Sequence, residues 1–161
     1  MLKFRKQDRY DKIKPIVEKC LQQYGFEYKI PESGHITMVV QPGSKPYRVL
    51  IWVEEDERLL NIIVGGIVIP ENKRQICLEF IARANHVNKM GCFDFDFDDG
   101  TTMFRDCINV TGGNVTVEMV RQMLLNTVAV FDKHFNALEY IVSSEITAIN
   151  AHKHVAPEYY H

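Results

Sequence analysis

The sequence is short of almost everything that marks a catalytic or cofactor-bearing chain. Its four cysteines, Cys20, Cys77, Cys92 and Cys107, are scattered without a C-x-x-C, so neither a zinc ribbon nor a dithiol redox motif is encoded. Reduced thiols are the simplest reading. The six histidines, His35, His86, His134, His152, His154 and His161, form no H-E-x-x-H, and none flanks a nucleophile. Charge of one sign is also missing: 19 Lys and Arg stand against 21 Asp and Glu, a net charge of -2. Such a balance offers no field to attract phosphate backbones, which argues against nucleic acid as the main partner. The longest apolar run, Ile62 to Ile69, is broken by Gly65 and Gly66 and falls well short of the ~20 residues that span a bilayer. Met1 to Lys6 is basic but leads straight into charged sequence, so no signal peptide is expected. The N-x-T triplets at Asn109 and Asn114 then read as chance matches, and a cytoplasmic location follows as an expectation.

What is present fits one globular domain. The chain has 161 residues, 46% apolar and 25% charged. A chain of that length buries roughly 70% of its unfolded surface and needs no metal or disulfide staple.

Periodicity gives the elements. Tyr10, Ile13, Val17, Cys20, Leu21 and Tyr24 fall on one helical stripe. Asp11 is the expected N-cap, which puts Pro15 in the first turn, and Gly25 is the expected left-handed C-cap. Phe26, Tyr28 and Ile30 alternate with polar residues as a half-buried strand, as do Ile36, Met38 and Val40. Tyr47 to Val53 is apolar on both faces and predicts a central strand covered on each side. Leu59 to Val64 returns beside it after Glu54 to Glu57. A second helix is expected from Pro70 to a cap at Gly91, with Ile76, Cys77, Phe80, Ile81, Ala84 and Val87 on its inner arc. Cys92 to Asp98 alternates Phe with Asp, and Asp99-Gly100 signals a type I′ turn. That turn predicts Asp98 opposite Thr101, Phe95 opposite Phe104, Asp94 opposite Arg105 and Cys92 opposite Cys107. A third helix starts at Thr116 and carries Val120, Leu124, Thr127, Phe131, Phe135 and Leu138 on its stripe. The stretch from Ala148 has too few apolar residues to pack firmly. The order α-β-β-β-β-α-β-β-α, with hairpins and segregated helices, predicts an α+β fold with a mostly antiparallel sheet flanked by helices.

Candidate chemistry is weak at every position. A calcium loop starting at Asp94 needs Gly at its sixth position and Glu at its twelfth, where this chain has Asp99 and Arg105. Cys92 and Cys107, facing each other at a hydrogen-bonded position, are too far apart for an easy bridge, so packed thiols are expected. Asp106 is the odd residue on an apolar strand face, and with no sequence partner it reads as a hydrogen-bonded structural carboxylate or one at a sheet margin. His152 and His154 would make a poor metal site. Gly65-Gly66 lacks the spacing of a phosphate loop and reads as a bend. No catalytic residue, cofactor site or metal site is assigned.

From Tyr47 to Ile149 the sequence resembles the YbjN-like family of bacterial sensory transduction regulators. The resemblance rests on segments in order: Ile69 to Arg74 (IPENKR), Glu79 to Asn85 (EFIARAN), Gly91 to Gly100 (GCFDFDFDDG), Thr111 to Gly113, Phe131-Asp132, and Ala148-Ile149. This chain departs from the family at His134 and Asn136, where a Tyr and a Pro are usual, and at Ser143-Ser144, where a Gly is usual. The last helix is therefore expected to run further. The resemblance implies a fold similar to type III secretion chaperones, small homodimers that bind extended client segments without ATP. One such domain is expected over 1–150, with 151–161, short of apolar residues, as a flexible tail.

Three functions are weighed on this basis. The first is a non-enzymatic protein-binding module, chaperone-like or regulatory, that binds a protein client as a homodimer. Leu78 and Ala82, outside the inner arc of the second helix, would form the dimer interface, and the strand of Ile36, Met38 and Val40, or Phe26 to Ile30, would receive the client as an added strand. The second is a small-molecule sensor with a pocket drawn from Tyr47, Trp52 and Asp106. The third, an enzyme, needs coupled titratable groups that the sequence does not show.

Overall fold

The alternating and doubly apolar segments become a six-stranded antiparallel sheet in the computed structural model, which describes residues 13–54, 58–111 and 114–160. Its elements are α1 (Ile13–Gln23), β1 (Tyr28–Lys29), β2 (Ile36–Val40), β3 (Tyr47–Glu54), β4 (Leu59–Val64), α2 (Arg74–Val87), β5 (Cys92–Phe95), β6 (Thr102–Asn109), α3 (Val117–Ser143) and α4 (Ala148–Val155). Single 3₁₀ turns precede α2 and follow α4. The strands lie in the order β1-β2-β3-β4-β6-β5. The fold is α+β, as expected, with α4 added. The expected cap at Asp11, the turn residues 55–57, the Gly112-Gly113 break and His161 lie outside the described residues.

Register separates the two sheet faces. Val49, Val64, Phe104 and Phe93 stand side by side across β3, β4, β6 and β5. The next row holds Ile36, Ile51, Ile62 and Asp106. These side chains are buried, and α3 packs over them against β4 and β6. Burying each large aliphatic or aromatic group contributes about 1.5–3 kcal/mol, so this face dominates stability. The opposite face differs. Leu50, Trp52, Leu59, Ile63 and Met103 all keep part of their surface, and no buried apolar side chain of the strands lies there. Cover was expected on both sides of β3, and helices supply it on one.

The caps follow their residues. Thr116 accepts a hydrogen bond from the Met119 amide at 3.1 Å and starts α3. After α1, the Phe26 amide reaches the Leu21 carbonyl at 2.9 Å and Gly25 takes a φ of 69°, a Schellman stop. Gly91 is not the cap of α2, which ends at Val87 with an extended Asn88. Gly91 is glycine for another reason: a Cβ there would lie 2.6 Å from the Phe104 ring. α3 continues through His134 and Asn136 and ends at Ser143, with Ser144 as its C-cap.

The hairpin differs from its expected register by two residues. Cys92 pairs with Arg105, Phe93 with Phe104, Asp94 with Met103 and Phe95 with Thr102. The loop is wider: the Gly100 amide donates to the Asp96 carbonyl at 2.9 Å, and Gly100, with a φ of 82°, turns its own carbonyl to the Ile69 amide at 2.9 Å. Asp96 and Asp99 then close the loop with side-chain bonds to the amides of Asp98 and Thr101, at 2.8 and 2.7 Å. Cys92 and Cys107 are consequently not opposite each other. All four cysteines are free, and Cys107 is exposed instead of packed.

Within the segment expected as a flexible tail, 151–161, the described residues continue α4 to Val155 and form a 3₁₀ turn over Pro157–Tyr159. Thr147 caps α4, and Ala148, Ala151, His152 and Ala156 are buried against α2 and α3. Alanine carries too little hydrophobic signal for the pattern to register.

Gly65-Gly66 is a bend with a steric reason. A Cβ on Gly66 would sit 1.4 Å from the Thr102 carbonyl oxygen, whereas at Gly65 the nearest atom is 3.4 Å away. Gly66→Ala is expected to destabilise the fold by about 3 kcal/mol or more and Gly65→Ala by about 1 kcal/mol or less, read by urea denaturation. Equal effects would contradict this packing.

A candidate partner-binding face and edge

The open sheet face is built from cross-strand rows. His35, Trp52, Asn61 and Cys107 form one, since Trp52 faces Asn61 and Asn61 faces Cys107 in register, and the His35 and Trp52 rings meet edge to face at 5.6 Å. Thr37, Leu50, Ile63, Arg105 and Cys92 form the next. Val39 and Arg48 continue the face toward β1. Arg105 meets Asp94 at 2.9 Å, so the expected ion pair forms as a diagonal neighbour in the shifted register. Asn61 is 1% exposed; its amide donates to Glu54 at 3.4 Å, and its Oδ1 has no partner among the described residues. A lone buried acceptor costs about 1–3 kcal/mol.

The two sheet edges are treated differently. On β5, the Asn85 side chain of α2 accepts from the Phe93 amide at 2.8 Å and donates to the Phe93 carbonyl at 3.1 Å. One amide side chain thus imitates a neighbouring strand at Phe93 and occupies that edge there. On the far side, β1 pairs with β2 only through Tyr28–Met38 and Lys29–Thr37. Ile36 and Met38, the side chains expected to mark a receiving edge, point into the core at 3% and 4% exposure, with Val40 half-buried. What this end presents is backbone, with Val39 at 66% exposure. A groove of about 550 Å³ lies here, lined by Tyr28, Lys29, Thr37, Met38, Val39 and Arg48. Open edge and open face meet in it. Sequence reasoning missed the groove, because alternation marks Ile36, Met38 and Val40 as one face without saying which face is covered.

On α2, Leu78 is half-buried and Ala82 exposed. Ala82 also lies at the rim of a hollow of about 520 Å³ between α2 and the C-terminal segment, with Arg83, Val87, His152, Tyr159 and Tyr160. Arg83 is held by Glu79 at 2.7 Å.

The residues expected of a sensor pocket do not converge. Trp52 is on the open face, while Tyr47 and Asp106 are on the helix-covered one. The Tyr47 hydroxyl donates to Asp132 of α3 at 2.6 Å, and burial together with that carboxylate pushes its pKa up. Asp106 is 4% exposed. Burial raises its pKa, opposed by the Cys107 backbone amide; the nearby Thr127 hydroxyl donates to the Met123 carbonyl at 2.6 Å. The Asp94, Asp96 and Asp98 run is occupied by the ion pair and the turn, and among the described residues no three His, Cys, Asp or Glu gather as metal ligands. Among the described residues no helix is long and apolar enough to cross a membrane.

Comparisons agree with this architecture. The family model for YbjN, "Putative bacterial sensory transduction regulator", matches residues 15–139. No curated protein matches the chain in sequence. A chain of the HopA1–SchA chaperone–effector complex superposes with a TM-score of 0.56 at 12% identity, over 73% of this chain and 88% of that one. YbjN of E. coli gives 0.56 at 11% identity, over 85% and 90%. A chain from the complex of the Yersinia pestis type III secretion chaperone SycH with a stable fragment of YscM2 gives 0.50 at 18% identity, over 71% and 92%. The fold is that of type III secretion chaperones.

Asp106 tests the structural reading of its carboxyl. Its folded pKa is raised, so the native state holds the proton longer than the unfolded chain, whose Asp titrates near ~3.9, and stability falls as pH rises through the folded value. Asp106→Asn is expected to raise the melting temperature at pH 7.5 by more than at pH 4. A difference independent of pH would contradict it.

Proposed function

Because the chain belongs to the YbjN family, we propose that it is a non-enzymatic, cytoplasmic protein-binding module, chaperone-like or regulatory, that takes an extended client segment at the β1–β2 end of its sheet. The observation that carries this reading is the asymmetry of the edges: Asn85 occupies the outer side of β5, while β1 covers only Thr37 and Met38 of β2. An extended peptide adding there would gain main-chain hydrogen bonds, and its side chains would meet Val39 and the groove above Met38. Beyond the groove the open face offers Leu50, Trp52 and Ile63 as apolar contact. The HopA1–SchA and SycH structures, which share this fold, contain a second protein, and that supports the reading.

The working unit in this proposal is a homodimer joined through the outer side of α2. Leu78 and Ala82 would supply its apolar centre. They lie between the β5 edge and the C-terminal segment, so a second copy could approach there without reaching the client groove.

Co-purification from the native host, combined with mass measurement in solution, separates the two parts. Wild type is expected to be a dimer that retains a client protein. Val39→Glu, at an exposed position, should reduce the retained client by at least about tenfold while leaving the dimer intact. Leu78→Glu should yield monomer. Undiminished client on Val39→Glu contradicts the edge, and a monomeric wild type or an unshifted Leu78→Glu contradicts the dimer.

A further inference from the structure

Two enclosed histidines sit where α4 meets α2 and α3. His152 of α4 is 2% exposed and His134 of α3 is 1% exposed. Both rings meet Phe80 of α2 edge-on, with centroids 6.0 and 6.1 Å away. His134 Nδ1 lies 2.9 Å from the Val130 carbonyl. A carbonyl only accepts, so Nδ1 carries the proton and Nε2 is a bare lone pair. His152 Nδ1 is 2.8 Å from the Tyr160 hydroxyl. Neither Nε2 has a partner among the described residues. A second proton on His134 would therefore place a donor at Nε2, where the described residues offer no acceptor, and a charged His152, whose Nδ1 faces the Tyr160 hydroxyl, would likewise hold an Nε2 N–H with no acceptor among them.

The charged surroundings reinforce this. Arg83 from α2 and Lys133 from α3 both oppose a positive His152, and Glu158 in the terminal 3₁₀ turn favours one. Within α4, Lys153 lies over the Tyr160 ring at 5.3 Å, and His154 is exposed. His134 meets Lys133 and His152, and from β5 the Phe93 ring at 5.6 Å.

The segment's other anchors are small or partly exposed: Ala156 is buried, Ile146 and Val155 are half-buried against the core, and Lys73 donates to the Ser144 carbonyl at 2.5 Å. The buried side chains of α4 are Ala148, Ala151 and His152. An alanine buries one methyl group, so the imidazole is the largest group that α4 puts into the interior. Tyr159 adds a hydrogen bond of 3.5 Å to the Val87 carbonyl, and Lys73 reaches Glu145 at 3.2 Å before the helix begins.

We propose that residues 148–160 form a pH-sensitive latch, closed on α2 and α3 while His152 and His134 are neutral and released when they are protonated. Release uncovers Phe80 and the flank of α2 that carries Arg83 and Val87. The direction follows from linkage. Burial holds both histidines below their ordinary range, whereas in the open segment His152 regains the free value near ~6.5. The open state therefore binds more protons below that pH, so closure is complete above about 6.5 and weakens as pH falls. Each histidine that becomes protonated on opening shifts the equilibrium by about tenfold between pH 7.5 and 5.5. This inference is independent of the client-binding reading.

Hydrogen exchange of the full chain, corrected for intrinsic rates, tests it. In wild type, protection of residues 148–160 should fall at least about tenfold from pH 7.5 to 5.5 while residues 120–138 keep theirs. The double variant His134→Gln, His152→Gln should lose that dependence. Constant protection in wild type, loss of protection in the core together with the segment, or an undiminished pH response in the double variant would each overturn the latch. Imidazole NMR on wild type covers the case of an unfolded variant: His152 should titrate together with the loss of protection in 148–160, and a ring that titrates normally in a still-protected segment overturns the proposal.

Discussion

Phe131 stands where α3 meets the sheet. Its ring lies 4.9 Å from Tyr47 on β3, 6.3 Å from Phe93 on β5 and 5.1 Å from Phe135 one turn along the same helix. A single helix thereby ties strands from both halves of the sheet, and the Tyr47–Asp132 hydrogen bond fixes its rotation. α1 and α2 in turn pack on α3, and α4 on α2 and α3. Concentrating the helices on one face is what leaves the other with half-exposed Leu50, Trp52 and Ile63. Burial on one side and availability on the other are thus the same structural fact.

A sheet built this way must manage two ends. Asn85 reaches β5 because α2 runs beside that strand, and its amide matches the spacing of a backbone donor and acceptor. At the β1 end the strand is short, and the open face runs out into a groove. A molecule needing only to stay monomeric and inert would have reason to close both ends, since open edges invite pairing. Occupying one end and leaving the other open is compatible with the proposed addition of a strand at the β1–β2 end.

Much of this was legible in the residues. Thr116 and Gly25 act as caps because their chemistry is local, and the period-two runs found the strands for the same reason. The hairpin register was not legible: Asp99-Gly100 is a turn signal, but Gly100 answers to the Ile69 amide, a contact from thirty residues away in sequence. The one-sided cover of β3 escaped too, since Leu50 and Trp52 look as apolar as Val49 and Ile51. Asn85 carried no signal at all, being one more polar residue on a helix. α4 was hidden because alanines and a histidine make up its buried side. Local rules found the elements, and long-range contacts decided which surfaces remained free.

Amide exchange of the chain, alone and with the proposed client, addresses the central claim most directly. Client binding is expected to protect the amides of residues 28–40 and leave Cys92–Phe95 unchanged. Protection confined to Cys92–Phe95, or none along β1 and β2, would contradict the assignment of the open edge.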